Sequence, residues 1–207
     1  MFFKKPVLNL EKLKDNSFED ELSTCHKLKK IFKNKKLKKD KVVILNLGAG
    51  GDIINPMLFA DALVEAKEIV FLFYDPRFYY QFIIGELEDI IDNFKYKLKL
   101  NGNTAIIKFK LNNTKMSIVY SGRNAFDGMP PEIKQGFDVY YERAFRLFRD
   151  DQNLYMAFVF EKMNKDGLVV TDWGFNKLIT EKGNLQKIEG IPKEFGIYHN
   201  LTIYKKV

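Results

Sequence analysis

The stretch KVVILNLGAGGDIINP, residues 41–56, constrains this chain more than any other. Val42 to Leu47 is an almost unbroken apolar run, which predicts a strand buried on both faces of a sheet. It stops at Gly48, Gly50 and Gly51, where missing Cβ atoms let a ligand approach the backbone. Asn55-Pro56 reads as an N-cap followed by a first-turn proline, opening a helix over PMLFADALVEAK. Strand, glycine turn and helix in that order are the first unit of a parallel sheet covered by helices.

The alternation continues. EIVFLFYD reads as a second buried strand, and PRFYYQFIIGELEDIIDNF as a second helix with proline at its start. MSIVYSG, FDVYYE and GLVVTDWG predict three more core strands, with a helix over NLYMAFVFEKMN between the last two. Two stretches differ. KYKLKLNGNTAIIKFKLNN, residues 95–113, alternates polar and apolar around an Asn-Gly pair and reads as an extra β-hairpin. The end of the chain, KLITEKGNLQKI then FGIYHNLTIYKK, reads as an antiparallel pair joined through Gly190 and Pro192. The expected fold class is α/β: a doubly wound, mainly parallel sheet with a C-terminal antiparallel strand pair, plus a basic N-terminal helix.

That helix rests on Phe18, Leu22, Cys25, Leu28 and Phe32, spaced by three and four residues. Charge sets it apart. Residues 1–41 hold 13 lysines and 6 acids, a balance of +7, whereas residues 42–207 hold 21 basic and 21 acidic residues. The expected organisation is therefore a basic helical extension, 1–41, followed by one domain, 42–207. One cysteine excludes an internal disulfide, and the start MFFKKPVLNL lacks a secretory apolar core, so a cytoplasmic location is expected. No run is long enough to span a membrane. With two histidines and no metal-ligand spacing, neither a dedicated metal site nor a histidine triad is expected.

Three ligands compete for the glycine loop. A P-loop requires a Gly-Lys pair, which the sequence lacks. A dinucleotide fingerprint fails at its third glycine, where Ile53 stands. A nucleoside ligand without phosphates remains, held by glycine backbone and a distant acid. Asp75, 27 residues after Gly48, ends the second strand where a carboxylate can accept both ribose hydroxyls. Asn124, after the third core strand, can meet an adenine edge. Singly, each is a weak signal, since an acid at a strand end is usually a turn residue.

Taken in order, NLGAGGD, Asp75, GRNAF, FDVYYERAF and KDGLVVTDWGF resemble the motifs of the class I S-adenosylmethionine-dependent methyltransferases. The resemblance spans residues 42–207. It implies S-adenosyl-L-methionine as cofactor, with Gly48, Ala49 and Gly50 facing its methionine part. Asn46 joins that set at the position of the family's usual acid. Asp75 would hold the ribose, Asn124 and Ala125 the adenine, and Tyr141 would lie beside the sulfonium. It also implies a last strand inserted beside the fifth. The chain departs from the family pattern at Asn46, at Asp52 in place of a third glycine, and at Asn124 in place of an aspartate. The same fold without catalysis, as a binding or scaffold protein, is thus the alternative to an enzyme.

Methyl transfer asks mainly for positioning, with a base where the acceptor needs one. Glu142 and Asp172 follow core strands and are the catalytic candidates; pairing of Glu142 with Arg143 or Arg146, and a turn role for Asp172, are the plainer readings. Trp173 can stack on a flat substrate or fill the core. The family's Asn/Asp-Pro-Pro-aromatic motif is absent, YYER standing in its place. The tract Lys27–Lys41 offers phosphate contacts, so RNA is slightly favoured as acceptor and partner, with a small molecule as the alternative. Otherwise the tract is a solvated helix and linker.

Overall fold

The computed structural model describes residues 5–15, 29, 39–63, 65–124, 136–142, 159–171, 181–188 and 202–207. Two short strands, β1 (Val7–Leu8) and β4 (Ile91–Asp92), pair antiparallel. Among the described residues the other nine strands form one sheet. In chain order they are β2 (Lys41–Leu47), β3 (Glu68–Tyr74), β5 (Tyr96–Asn101), β6 (Thr104–Leu111), β7 (Thr114–Ser121), β8 (Phe137–Glu142), β9 (Met163–Thr171), β10 (Leu185–Lys187) and β11 (Thr202–Lys206). Their spatial order is β10-β11-β9-β8-β2-β3-β7-β6-β5. Strands β7, β3, β2, β8 and β9 run parallel, and β11 lies antiparallel between β9 and β10. This is the expected mainly parallel sheet, with the last strand inserted beside the fifth core strand.

The central strands are apolar throughout because each separates two cores. Val42 and Ile44 of β2 enter one cluster, Leu45 and Leu47 the other. The first cluster includes Met57 and Phe59 of helix α2 (Ile54–Ala62) and Ile83, Leu87 and Ile90 of α3 (Tyr80–Ile90). The second includes Val159 and Phe160. The hairpin shows the contrasting pattern: Ala105, Ile107, Phe109 and Leu111 of β6 are buried, while Lys108 and Lys110 are exposed. Period-two alternation here marks a sheet covered on one face only.

Several boundaries differ from expectation. Helix α2 starts at Ile54, not at Pro56, and its flanking residue Ile53 makes no side-chain cap. Pro56 falls in the first turn, where no intrahelical N–H bond is lost. Helix α3 starts at Tyr80, four residues beyond Pro76, because Asp75 to Tyr79 forms a separate turn in which Phe78 has φ 53°. Its expected tail is instead β4, which pairs with β1. Strand β9 begins at Met163, taking residues expected in the preceding helix, of which 159–161 are helical. The basic segment is not separate from the domain throughout. The Asn9 N–H donates to the Ile90 carbonyl at 2.8 Å, and Leu13 of helix α1 (Leu10–Asp15) is buried in the first core. The stripe Phe18, Leu22, Cys25, Leu28 and Phe32 and the Gly190–Pro192 connection lie outside the described residues. Among the described residues no helix is long and apolar enough to cross a membrane.

Candidate functional site

Register brings the predicted residues to one rim. Leu47, Tyr74 and Ser121 are hydrogen-bonded neighbours across β2, β3 and β7, and Asn46 pairs with Tyr141 of β8. One residue further along each strand stand Gly48, Asp75, Gly122 and Glu142. All lie at the carboxyl ends of parallel strands, where open α/β sheets bind ligands.

The glycine loop closes over β3. The Gly48 and Ala49 N–H groups donate to the Tyr74 carbonyl at 2.8 and 3.3 Å. Gly48 and Gly50 have φ 66° and 56°, a region that disfavours any side chain, so these two glycines are required by the turn itself. Gly50 is then clasped from both sides. Its N–H donates to Asp75 Oδ2 at 3.1 Å, and its carbonyl accepts from the Tyr120 hydroxyl at 2.7 Å. Burial raises the Tyr120 hydroxyl above its ordinary pKa, so it stays a donor.

Asp75 is the centre of the rim. Its residue is 3% exposed, and its carboxylate accepts four hydrogen bonds. Two come from backbone N–H groups: Gly50 to Oδ2 and Arg77 to Oδ1. Two come from the guanidinium: Arg77 Nε to Oδ1 at 3.0 Å and Nη2 to Oδ2 at 3.1 Å. Burial alone would push this carboxyl up, but the hydrogen bonds and charge of Arg77, with the Gly50 N–H, outweigh it and hold the pKa below the ordinary value. The Asp75 carboxylate in turn raises the Arg77 pKa further. The Arg77 side chain is 62% exposed, and its guanidinium carbon lies 5.0 Å from the Tyr79 ring centroid.

The other predicted residues are placed as follows. Asn46 is buried at the end of β2. Tyr141 is buried, its ring edge-on to Phe59 of α2 at 5.0 Å, so it packs on the helix side of the rim. Glu142 is buried and its Oε2 accepts a 2.6 Å hydrogen bond from the Tyr140 hydroxyl. Asn124 is half-buried, two residues beyond Gly122. A Cβ on Gly122 would meet the Phe78 ring at 2.9 Å, so this glycine admits an aromatic side chain against the third strand tip. Ala125, Arg143, Arg146, Asp172 and Trp173 lie outside the described residues.

Arg77 and Tyr120 were not anticipated. Asp-Pro-Arg carried a usable signal, since an aspartate often bonds the N–H two residues on. Nothing in the sequence marked Tyr120.

No protein-family model and no curated protein sequence matches the chain. Solved structures do resemble it. A SAM-dependent methyltransferase from Aquifex aeolicus is 12% identical over 92% of this chain and 100% of its own, with a TM-score of 0.50. The fold is that of the S-adenosylmethionine-dependent methyltransferases. A methyltransferase from Pyrococcus furiosus (15% identity, 86% and 81% covered, TM-score 0.48) is a looser match. So is precorrin-6y C5,15-methyltransferase from Geobacter metallireducens (13% identity, 86% of each chain, TM-score 0.45).

Proposed function

We propose that this chain is an S-adenosylmethionine-dependent methyltransferase, with the cofactor lying over Gly48–Gly50 and its ribose on Asp75. The observation that carries the reading is how the Asp75 carboxylate is shared. Backbone N–H groups take two of its four acceptor positions, and an exposed guanidinium takes the other two. A ribose offers two adjacent hydroxyls, which is what those last two positions accept. Those two positions would open to the ribose once Arg77 releases Nε and Nη2 to solvent, while the backbone bonds keep the carboxylate oriented. Asn46, Ala49, Asn124, Ala125 and Tyr141 complete the proposed cofactor set.

The bound cofactor would supply a methyl group activated by its sulfonium. Glu142, oriented by the Tyr140 hydroxyl, is the described residue suited to accept a proton or orient an amine. Asp172 is its alternative. Titration calorimetry with S-adenosylmethionine and its demethylated product tests the binding. Asp75→Ala should weaken it by about tenfold or more, because ribose hydroxyls lose their acceptor. No heat with wild-type protein at millimolar ligand would remove the reading.

The acceptor reading is RNA ahead of a small molecule, supported by the lysines of residues 27–41. The described lysines of that tract already have partners: Lys29 pairs with Asp61, Lys39 with Asp138 at 2.6 Å, and Lys41 with Glu68 at 3.3 Å. Phosphate contact from the tract therefore rests on its other lysines. Lys35→Gln, Lys36→Gln and Lys38→Gln together should lower RNA affinity; an unchanged affinity removes the tract as support for an RNA acceptor.

A second reading, binding without catalysis, is favoured by the departures from the family pattern at Asn46 and Asp52. Incubating extracts with methyl-labelled cofactor separates the two. Label transferred to an acceptor, and lost on Gly50→Ala, supports the enzyme; binding without transfer supports the scaffold.

A further inference from the structure

The hairpin that widens the sheet also builds a cationic surface. Register puts Lys97 of β5 opposite Lys108 of β6, and Lys110 opposite Lys115 of β7. Lys99 pairs with Ile106 and lies on the same face, since partners and alternate residues share a side of a pleated sheet. All five lysines are exposed, and among the described residues no carboxylate pairs with any of them. The acid next to these lysines in the register is Glu68, opposite Lys115, and it pairs with Lys41. An open groove of about 610 Å³ borders the face at the strand ends, with Lys97, Lys108, Lys110 and Lys115 on one side and Tyr96, Phe109 and Met116 on the other.

Two such cross-strand pairs oppose like charges, an arrangement that destabilises a sheet. Edge protection explains part of it: lysines on an edge strand discourage pairing with another chain, and β5 is the edge. It does not explain Lys108, Lys110 and Lys115, which lie on strands paired on both sides.

We propose that this face docks the phosphate backbone of a nucleic acid. Lysines two apart on one strand are about 6.8 Å apart, and adjacent strands about 4.8 Å, which gives a closely spaced array of cations suited to a repeating anion. A bilayer fits less well. Membrane-surface elements set apolar side chains beside their basic ones, whereas the exposed Leu98 and Leu100 of β5 alternate onto the opposite face and stay out of the groove. The groove also suits a strand better than a plane. Lysine without arginine attracts phosphate without reading bases, so RNA and DNA should bind alike. The site lies toward the amino ends of the parallel strands, away from the glycine-loop rim, and does not depend on the methyl-transfer reading.

Fluorescence anisotropy with a labelled single-stranded RNA of about 20 nucleotides, and a DNA of the same sequence, tests it on the full chain. Wild-type affinity should fall steeply between about 50 and 200 mM salt. Lys97→Gln, Lys108→Gln and Lys110→Gln together should lower affinity at least about tenfold and reduce the salt slope by about two units. The triple Lys162→Gln, Lys165→Gln and Lys182→Gln removes the same charge elsewhere and should change neither. A thermal melt no lower than wild type shows that the first triple folds, and unchanged cofactor calorimetry keeps this test separate from the rim. Equal losses from both triples, an unaffected first triple, or binding to phosphatidylserine vesicles but to neither oligonucleotide would overturn the proposal.

Discussion

The glycine-loop rim and the β5–β7 face treat charge in opposite ways. At the rim, the Asp75 carboxylate has all its acceptor positions filled, and Gly50 is bonded through both its N–H and its carbonyl. On the face, Lys97 opposes Lys108 and Lys110 opposes Lys115, with no acid of the described residues bonded to any of them. The first arrangement holds a loop in one shape; the second stores repulsion that an anion from outside relieves. Residues 42–207 sum to zero charge, yet the fold gathers cations on one surface. A neutral total therefore says little about local potential.

This contrast predicts opposite signs for charge removal. The largest effect belongs to Asp75→Ala, which leaves the Gly50 and Arg77 N–H groups without an acceptor. A loss of about 2 kcal/mol is expected in denaturant unfolding. Gly50→Ala comes next. Its Cβ would sit 3.6 Å from Arg77 Nη2, an ordinary contact, so the loss of about 1–2 kcal/mol would come from the positive φ alone. Tyr120→Phe should cost about 1 kcal/mol by removing the donor to the Gly50 carbonyl. The smallest effect has the other sign. Lys110→Thr removes a like-charge pair and should raise Tm by about 1–3 °C at low salt, the gain shrinking as salt is added. If the lysine change lowers Tm, the two regions do not differ as described.

Acid sharpens the same comparison. The Asp75 pKa is lowered in the fold, so its contribution is fully present above the unfolded value of 3.8 and is lost as pH falls through the folded value below it. The Tm gap between wild type and Asp75→Asn should therefore be constant at neutral pH and close below about pH 3.8. The gain from Lys110→Thr should persist across that range. A gap that closes well above that pH would mean another group governs the rim.

The central sheet was legible because strands buried on both faces read as continuous apolar runs, as in Val42–Leu47 and Ile69–Tyr74. The hairpin was legible from its alternation and its Asn-Gly turn, Gly102 taking φ 54°. Helix starts were misplaced for a physical reason: Pro76 sits in the turn tied by Asp75, whose carboxylate bonds the Arg77 N–H, so it does not open α3. Strands β1 and β4 are two residues each, too short to give a period. At the rim, Gly48, Gly50 and Asp75 were readable because strand ends place them. Occupation of Asp75 by Arg77 was not, since it depends on where a long side chain turns. The lysine face was hidden similarly: each lysine is visible as an alternate residue, but their sum requires cross-strand register.

On the proposed reading, Arg77 stands where the cofactor's ribose would bond Asp75. Calorimetry of Arg77→Ala against wild type, with the demethylated cofactor product as ligand, tests it most directly. Binding should be about two- to fivefold tighter in the variant, because an exposed ion pair no longer competes for the two acceptor positions of Asp75. Weaker binding in Arg77→Ala, or none in either protein, would contradict it.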